Sequence, residues 1–324
     1  MKIICNVVLA AAVITAAPAV LAQTKWDFPS GYSANSFQTE LLQEFANNVA
    51  KETGGKLTLT VHPGGSLYPA NQIKRAVQTG QVQIGEFILS GASNENPLYG
   101  VDSIPFLATS YPQAKKLWEA SQPAVEKLLA SQGLKLLYVS PWPGQSLYST
   151  KPINSADDIR GTKMRTYNPA TNRIAQLLGA QPATIQLAEL GQALATGAVD
   201  DFLTSSASGI ESKLYEQVKY FYPVNAWLPK NAIVVNTSAF NALDKATQGI
   251  VLKAAKAEGE KAWGVSQQHD DEYVKQLGEH GMKIAPPSPQ LTKALDKVGE
   301  TMTNQWLRTA GDEGKKIIAA YKKM

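Results

Sequence analysis

The feature that most constrains this chain is a repeated switch of period. Phe37, Leu41, Leu42, Phe45, Ala46 and Val49 recur at helical spacing, so residues 36–52 read as an amphipathic helix that Gly54 and Gly55 stop. Over residues 56–62 only alternate positions are apolar (Leu57, Leu59, Val61), the pattern of a half-buried strand. Residues 70–79 then read as a helix ending at Gly80, and 82–89 as the next strand. The alternation restarts after Trp142, Pro143 and Gly144. It gives a strand over 162–166, a helix over 169–178 closed by Gly179, a helix over 187–195 closed by Gly197, and a strand over 198–204. Strands alternating with helices predict an α/β fold with largely parallel sheets. Two such runs predict two units of similar size, and a long, mostly exposed helix over 238–281 is placed to brace both. Two α/β lobes around a cleft are a common enclosure for a small ligand.

The first residues speak to compartment. Lys2 precedes an almost wholly apolar, alanine-rich stretch to Leu21, and Val20, Leu21 and Ala22 form a small-residue cleavage site. This is the layout of a secretory signal peptide, so residues 1–22 are expected to be removed and the mature protein to reside in the periplasm. Cys5, the one cysteine, leaves with the leader. The mature chain then has no disulfide, and its stability must come from core burial. The formal net charge of +4 is spread among scattered acids and bases. No basic block with interleaved aromatics appears, which argues against nucleic-acid binding.

Catalytic constellations are missing. His62, His269 and His280 sit in no metal-binding spacing. There is no Gly-x-Ser-x-Gly elbow, and the hydroxyl cluster Ser205, Ser206 and Ser208 has no nearby base. Asp200 and Asp201 are adjacent on a strand and point to opposite faces, a poor acid–base dyad. Asp270, Asp271 and Glu272 read as a solvated helix face. The chain is therefore expected not to be an enzyme. A periplasmic hydrolase or isomerase, and a sensory receptor that presents its loaded form to a membrane kinase, stand as the alternative classes.

An ordered set of short motifs runs along the chain: TGGKL at 53–57, HPG at 62–64, AVQTGQV at 76–82, PFL at 105–107, KPI at 151–153, DDIRGTKMR at 157–165, LGAQP at 178–182 and ALATGAVD at 193–200. The set resembles the extracytoplasmic solute receptors of tripartite ATP-independent periplasmic (TRAP) transporters, the group named after a four-carbon dicarboxylate receptor. The resemblance implies two lobes with mainly parallel sheets, crossing strands and a long C-terminal helix. It implies one lobe from residues 23–142 with 230–269, and a second from 143–229 with 270–324. It also implies a monomer that closes over a small organic acid and delivers it to the small and large membrane subunits of a transporter.

The resemblance places Arg165 at the family's ligand arginine. A guanidinium is always charged, and its planar fork matches a carboxylate with two hydrogen bonds. Gln145 stands where some relatives carry a second arginine, so a two-arginine clamp for a compact dicarboxylate is not expected. Relatives with glutamine here resemble 2-oxo acid receptors, some with a cation in the site. Their acidic ligand is not evident across residues 227–231, so neither metal nor cofactor is expected. Thr204 takes the place of a ligand-reaching asparagine, and Phe202 is placed to add an apolar wall. Trp142 and Trp227 flank the expected cleft, where each either packs the hinge or touches the ligand. Tyr32 and Asn35 match the family's N-terminal contact region loosely. One arginine among aromatics favours a monocarboxylate with an apolar or aromatic body; a dicarboxylate or a 2-oxo acid is the alternative.

Overall fold

The computed structural model describes residues 23–324. The expected leader, its cleavage after Ala22 and Cys5 lie outside the described residues.

The first lobe opens with β1 (Thr24–Pro29), α1 (Phe37–Glu52) and β2 (Leu57–His62), a unit whose two strands pair in parallel. The apolar stripe read in the sequence is buried: Leu42, Phe45, Ala46 and Val49 pack on Trp26, Phe28, Leu57 and Leu59. Next come α2 (Ile73–Gln78), β3 (Ile84–Ile88), α3 (Tyr111–Ser131) and β4 (Leu134–Pro141). Gly85 lets β3 pass close beneath α2, since a Cβ there would stand 2.7 Å from methyl groups of Ile73 and Val77.

The second lobe is built from β5 (Ser146–Ser149), β6 (Lys163–Thr166), α4 (Pro169–Leu177), β7 (Gln181–Thr184), α5 (Leu187–Ala195), β8 (Asp201–Thr204), α6 (Ser206–Glu211) and β9 (Tyr220–Tyr222). The chain then returns through β10 (Lys230–Asn236), α7 (Thr237–Asn241) and α8 (Lys245–Glu279), and finishes with β11 (Lys283–Ile284) and α9 (Pro289–Lys323). β10 inserts between β3 and β4, and the other large sheet runs β11-β9-β5-β8-β6-β7.

The α/β class, two lobes and long C-terminal helix agree with expectation, but the sheets are mixed. β6, β7 and β8 pair in parallel, whereas β10 and β5 are each antiparallel to both neighbours. The reason is a two-stranded ribbon that crosses between the lobes. β4 continues into β5 while β9 continues into β10 in the opposite direction. The intervening residues stay bonded, with Trp142 N–H donating to the Pro229 carbonyl, Gln145 N–H to Trp227 and Ala226 N–H to Gln145. Local periodicity does not report this ribbon, because its partners are far apart in the chain.

The helix expected over 238–281 is divided. The Asp244 carboxylate accepts the Thr247 N–H (2.9 Å) and starts α8 afresh after the short α7. α8 packs on β4 and α1 of one lobe and on α6 and β11 of the other. The middle of its buried stripe is rich in small residues (Ala254, Ala255, Ala262, Ser266), with Val251 and Leu277 toward its ends. α9 packs on α3 and α4 and kinks at Gly311, whose backbone (φ 60°, ψ −143°) only glycine adopts readily. No described helix is long and apolar enough to cross a membrane.

Candidate functional site

A cleft of about 260 Å³ lies between the lobes, where the ribbon crosses. Tyr32, α2 and β3 form one wall. Arg165, Tyr167, Leu187, Thr204 and Ser208 form the other, and Trp142, Gln145 and Pro229 form the back.

Arg165 sits on β6 between β7 and β8, opposite Ala183 and Phe202. Strand alternation sends Met164 into the apolar core and Arg165 to the other face. The arginine is 3% exposed. Its Nε donates to the Ile185 carbonyl (2.9 Å), and its guanidinium lies 4.8 Å from the centre of the Tyr167 ring. Among the described residues no ion pair includes it. Burial pushes its pKa down to about 10, against the opposing influence of Tyr167 and Tyr32. A fully charged fork is thus held in a poorly hydrated cleft with its terminal nitrogens unclaimed by any protein carboxylate.

The other expected residues divide. Gln145, Thr204, Trp142 and Tyr32 line the cleft. The Gln145 side chain is fixed at both ends, accepting from the Tyr167 hydroxyl (3.2 Å) and donating to the Pro143 carbonyl (3.1 Å). Trp142 packs the hinge and stands at the cleft. Its ring lies 4.8 Å from Tyr32 and 5.3 Å from Phe37 at the hinge, and it also borders the cleft.

Trp227, Phe202 and Asn35 are not among the lining residues. Trp227 is buried in the second lobe's core with Leu295 and Val298 of α9. Phe202 shares a sheet face with Arg165, but Leu190 and Leu194 of α5 and Leu277 of α8 cover that face beyond the arginine. Phe202 stacks there on Tyr148 at 5.0 Å, so it is core and not a cleft wall. Asn35 is exposed, and its amide reaches the Glu211 backbone carbonyl at 3.5 Å.

Sequence reading passed over Tyr167, Glu86 and Asn231. Tyr167 follows Arg165 by two positions on the same strand path, a spacing that would have pointed to it. Glu86 interrupts an otherwise apolar strand and is 1% exposed. Its oxygens accept from Ser30 Oγ (2.5 Å) and Asn231 Nδ2 (2.7 Å). Asn231 Oδ1 accepts from Tyr32 Oη (3.1 Å) and Trp142 Nε1 (3.0 Å). Burial pushes Glu86 up to about 7, with the Ser30 and Asn231 hydrogen bonds opposing.

Beside the Asn35–Glu211 contact, further hydrogen bonds tie the lobes together. Asn168 Nδ2 donates to Ser90 Oγ (2.8 Å), and the Phe37 N–H at the start of α1 donates to the Glu211 carboxylate (2.9 Å). The carboxylates doubted as catalysts have structural partners. Asp200 accepts from the Lys163 N–H (2.9 Å), and Asp201 from Ser149 Oγ (2.5 Å). Ser205 caps α6. Among the described residues no cluster of His, Cys, Asp or Glu has a geometry that would hold a metal.

Two lobes, a crossing ribbon and an unpaired buried arginine facing the space between them define a solute-binding receptor. The chain belongs to the DctP family, bacterial extracellular solute-binding protein family 7, whose model matches residues 28–309. It is a solute receptor of the TRAP transporter type and not an enzyme. Three solved structures are similar over nearly the whole chain. DctP6, an extracytoplasmic solute receptor of Bordetella pertussis binding pyroglutamic acid, is 46% identical with a TM-score of 0.91, covering 93% of this chain and 100% of that one. A marine metagenome TRAP solute-binding protein specific for pyroglutamate is 42% identical with a TM-score of 0.92, covering 94% and 100%. DctP7 of Bordetella pertussis, also a receptor binding pyroglutamic acid, is 36% identical with a TM-score of 0.91, covering 92% and 99%.

Proposed function

We propose that this receptor captures pyroglutamate, or a close cyclic monocarboxylate, and delivers it to TRAP membrane subunits. The observation that carries the reading is the buried, unpaired guanidinium of Arg165, in a chain 46% and 42% identical to two receptors that bind this acid. The ligand carboxylate takes the two terminal nitrogens of the fork, Nε being held by Ile185, and the ring lies among Tyr32, Trp142 and Tyr167. Gln145 and Thr204 offer neutral hydrogen bonds. Arg165 is the buried arginine of the cleft, Arg75 at its border being exposed, so one carboxylate is matched at depth and a second is not. The volume suits a small ring, since an apolar cavity of ~150 Å³ already admits benzene.

The lobes that close are residues 23–142 with 230–269 and residues 143–229 with 270–324. The mature protein begins at Gln23 in the periplasm and works as a monomer. A ligand that binds the closed form more tightly shifts the population toward it.

Isothermal titration with L-pyroglutamate, L-proline, L-glutamate, succinate and a 2-oxo acid tests the assignment. Tight binding of pyroglutamate, with the others at least about a hundredfold weaker, is expected. Equal or tighter binding of succinate or the 2-oxo acid would remove it.

A further inference from the structure

The first lobe contributes to the cleft a group with no counter-charge. Glu86 lies mid-strand in β3, opposite Ile233 of β10, with core residues Ile84 and Phe87 close by in the strand. A carboxylate at this depth, 1% exposed, costs free energy unless its lone pairs are used. Two are used, by Ser30 and Asn231. A carboxylate offers about four acceptor positions, and Glu86 borders the cleft.

The surroundings fix one of its oxygens as an acceptor. Asn231 Oδ1 receives two donors, Tyr32 Oη and Trp142 Nε1. That settles the orientation of the Asn231 amide, so its Nδ2 must donate to Glu86. Among the described residues no ion pair includes Glu86. Tyr32 lies near enough to feel both Glu86 and Arg165, which act on its hydroxyl in opposite senses. The buried floor of the cleft therefore sets a donor fork on the second lobe against an acceptor on the first, while at its border Lys74 pairs with Glu95 and Arg75 is exposed.

A ligand that satisfies both ends carries a carboxylate and, across its body, an N–H. We infer that Glu86 is a specificity-determining residue, selecting acids that present an N–H donor to the first lobe over isosteres that lack one. The inference rests on the reading of the cleft as a site for a lactam acid and names the wall that reads the lactam nitrogen. With Glu86 ionised, a lactone of the same shape sets a ring oxygen against the Glu86 oxygens, two acceptors with no proton between them. Sites built to hydrogen-bond a ligand group reject analogues lacking it far more strongly than apolar pockets do.

The test is titration calorimetry with L-pyroglutamate and its lactone isostere, 5-oxotetrahydrofuran-2-carboxylate, on the wild type, Glu86→Gln and Glu86→Leu. The readout is the ratio of the two affinities, in which general damage to the fold cancels. The wild type should prefer the lactam at least about a hundredfold. Glu86→Gln, which keeps the shape and removes the charge and one acceptor, should cut the ratio at least tenfold. Glu86→Leu should bring it close to one. A wild type that binds lactam and lactone alike overturns the inference, as does an unchanged ratio in both variants. A wild type that ignores pyroglutamate but binds another acid overturns the ligand assignment itself, and the role given to Glu86 falls with it.

Discussion

Replacing Arg165 with Met should stabilise the ligand-free protein while destroying its ability to bind. The guanidinium is depressed from its ordinary value of 12.5 to about 10, chiefly by burial. A cation whose folded pKa lies below its unfolded one is charged in the fold at a cost. That cost is present throughout the range below the folded value and fades as pH rises through the unfolded one. At ~1.4 kcal/mol per unit, the depression amounts to roughly 3 kcal/mol. Methionine returns that energy and fills similar space. It forfeits the Nε hydrogen bond to Ile185, worth about 1 kcal/mol, and the contact with Tyr167. The net gain is on the order of 2 kcal/mol, or about 4 °C in melting temperature for a chain of this size. Binding moves the other way. Two charge-assisted hydrogen bonds at ~1.5–3 kcal/mol each imply a loss on the order of a hundredfold or more. Thermal melting without ligand and titration with pyroglutamate measure the two halves. A variant that melts lower than wild type, or binds within about threefold of it, refutes the reasoning.

Other expectations follow from particular contacts. Phe202→Ala should cost about 3–5 kcal/mol of stability, because it opens a cavity beside Tyr148, and leave ligand affinity nearly unchanged; a specific loss of affinity would put Phe202 back in the cleft. Lys230→Met should cost about 3–5 kcal/mol by stranding Asp102, its buried partner at 3.3 Å, and adding Asp102→Asn should restore much of that in urea titrations. Glu86 and Glu211 are both raised to about 7, chiefly by burial, and Glu40 adds to the effect at Glu211. Acids whose folded pKa exceeds the unfolded one hold protons in the fold that the unfolded chain has released, so stability should fall as pH rises from about 4.5 to about 7. Glu211→Gln should flatten part of that slope in melts across this window, and an unchanged slope would place its titration elsewhere.

Much of the fold was legible because its signals are local. The stripe Leu42, Phe45, Ala46 and Val49 needs only its own helix to be recognised, and the alternation of 57–62 only its own strand. Arg165 was legible through the run that leads to it. The ribbon was not, since Lys230 faces Pro141 and Tyr222 faces Leu147 across long stretches of chain. Glu86 was missed for the same reason: its partners Ser30 and Asn231 lie 56 and 145 residues away. Phe202 and Trp227 show a third case. Their strand positions are readable, but whether a sheet face is open to ligand or roofed by α5, α8 or α9 depends on helices packed from elsewhere in the chain.

The position of β10 also sets an order of events for a newly made chain. It is the middle strand of its sheet, flanked by β3 and β4, yet it follows the entire β5–β9 segment. A nascent chain that has emerged only as far as Tyr222 holds two strands with a gap between them and exposed apolar edges. The first lobe is thus the first to be made and cannot be the first to be finished. Until residue 236 is free, the early half of the molecule is a client for any chaperone that covers unpaired strands.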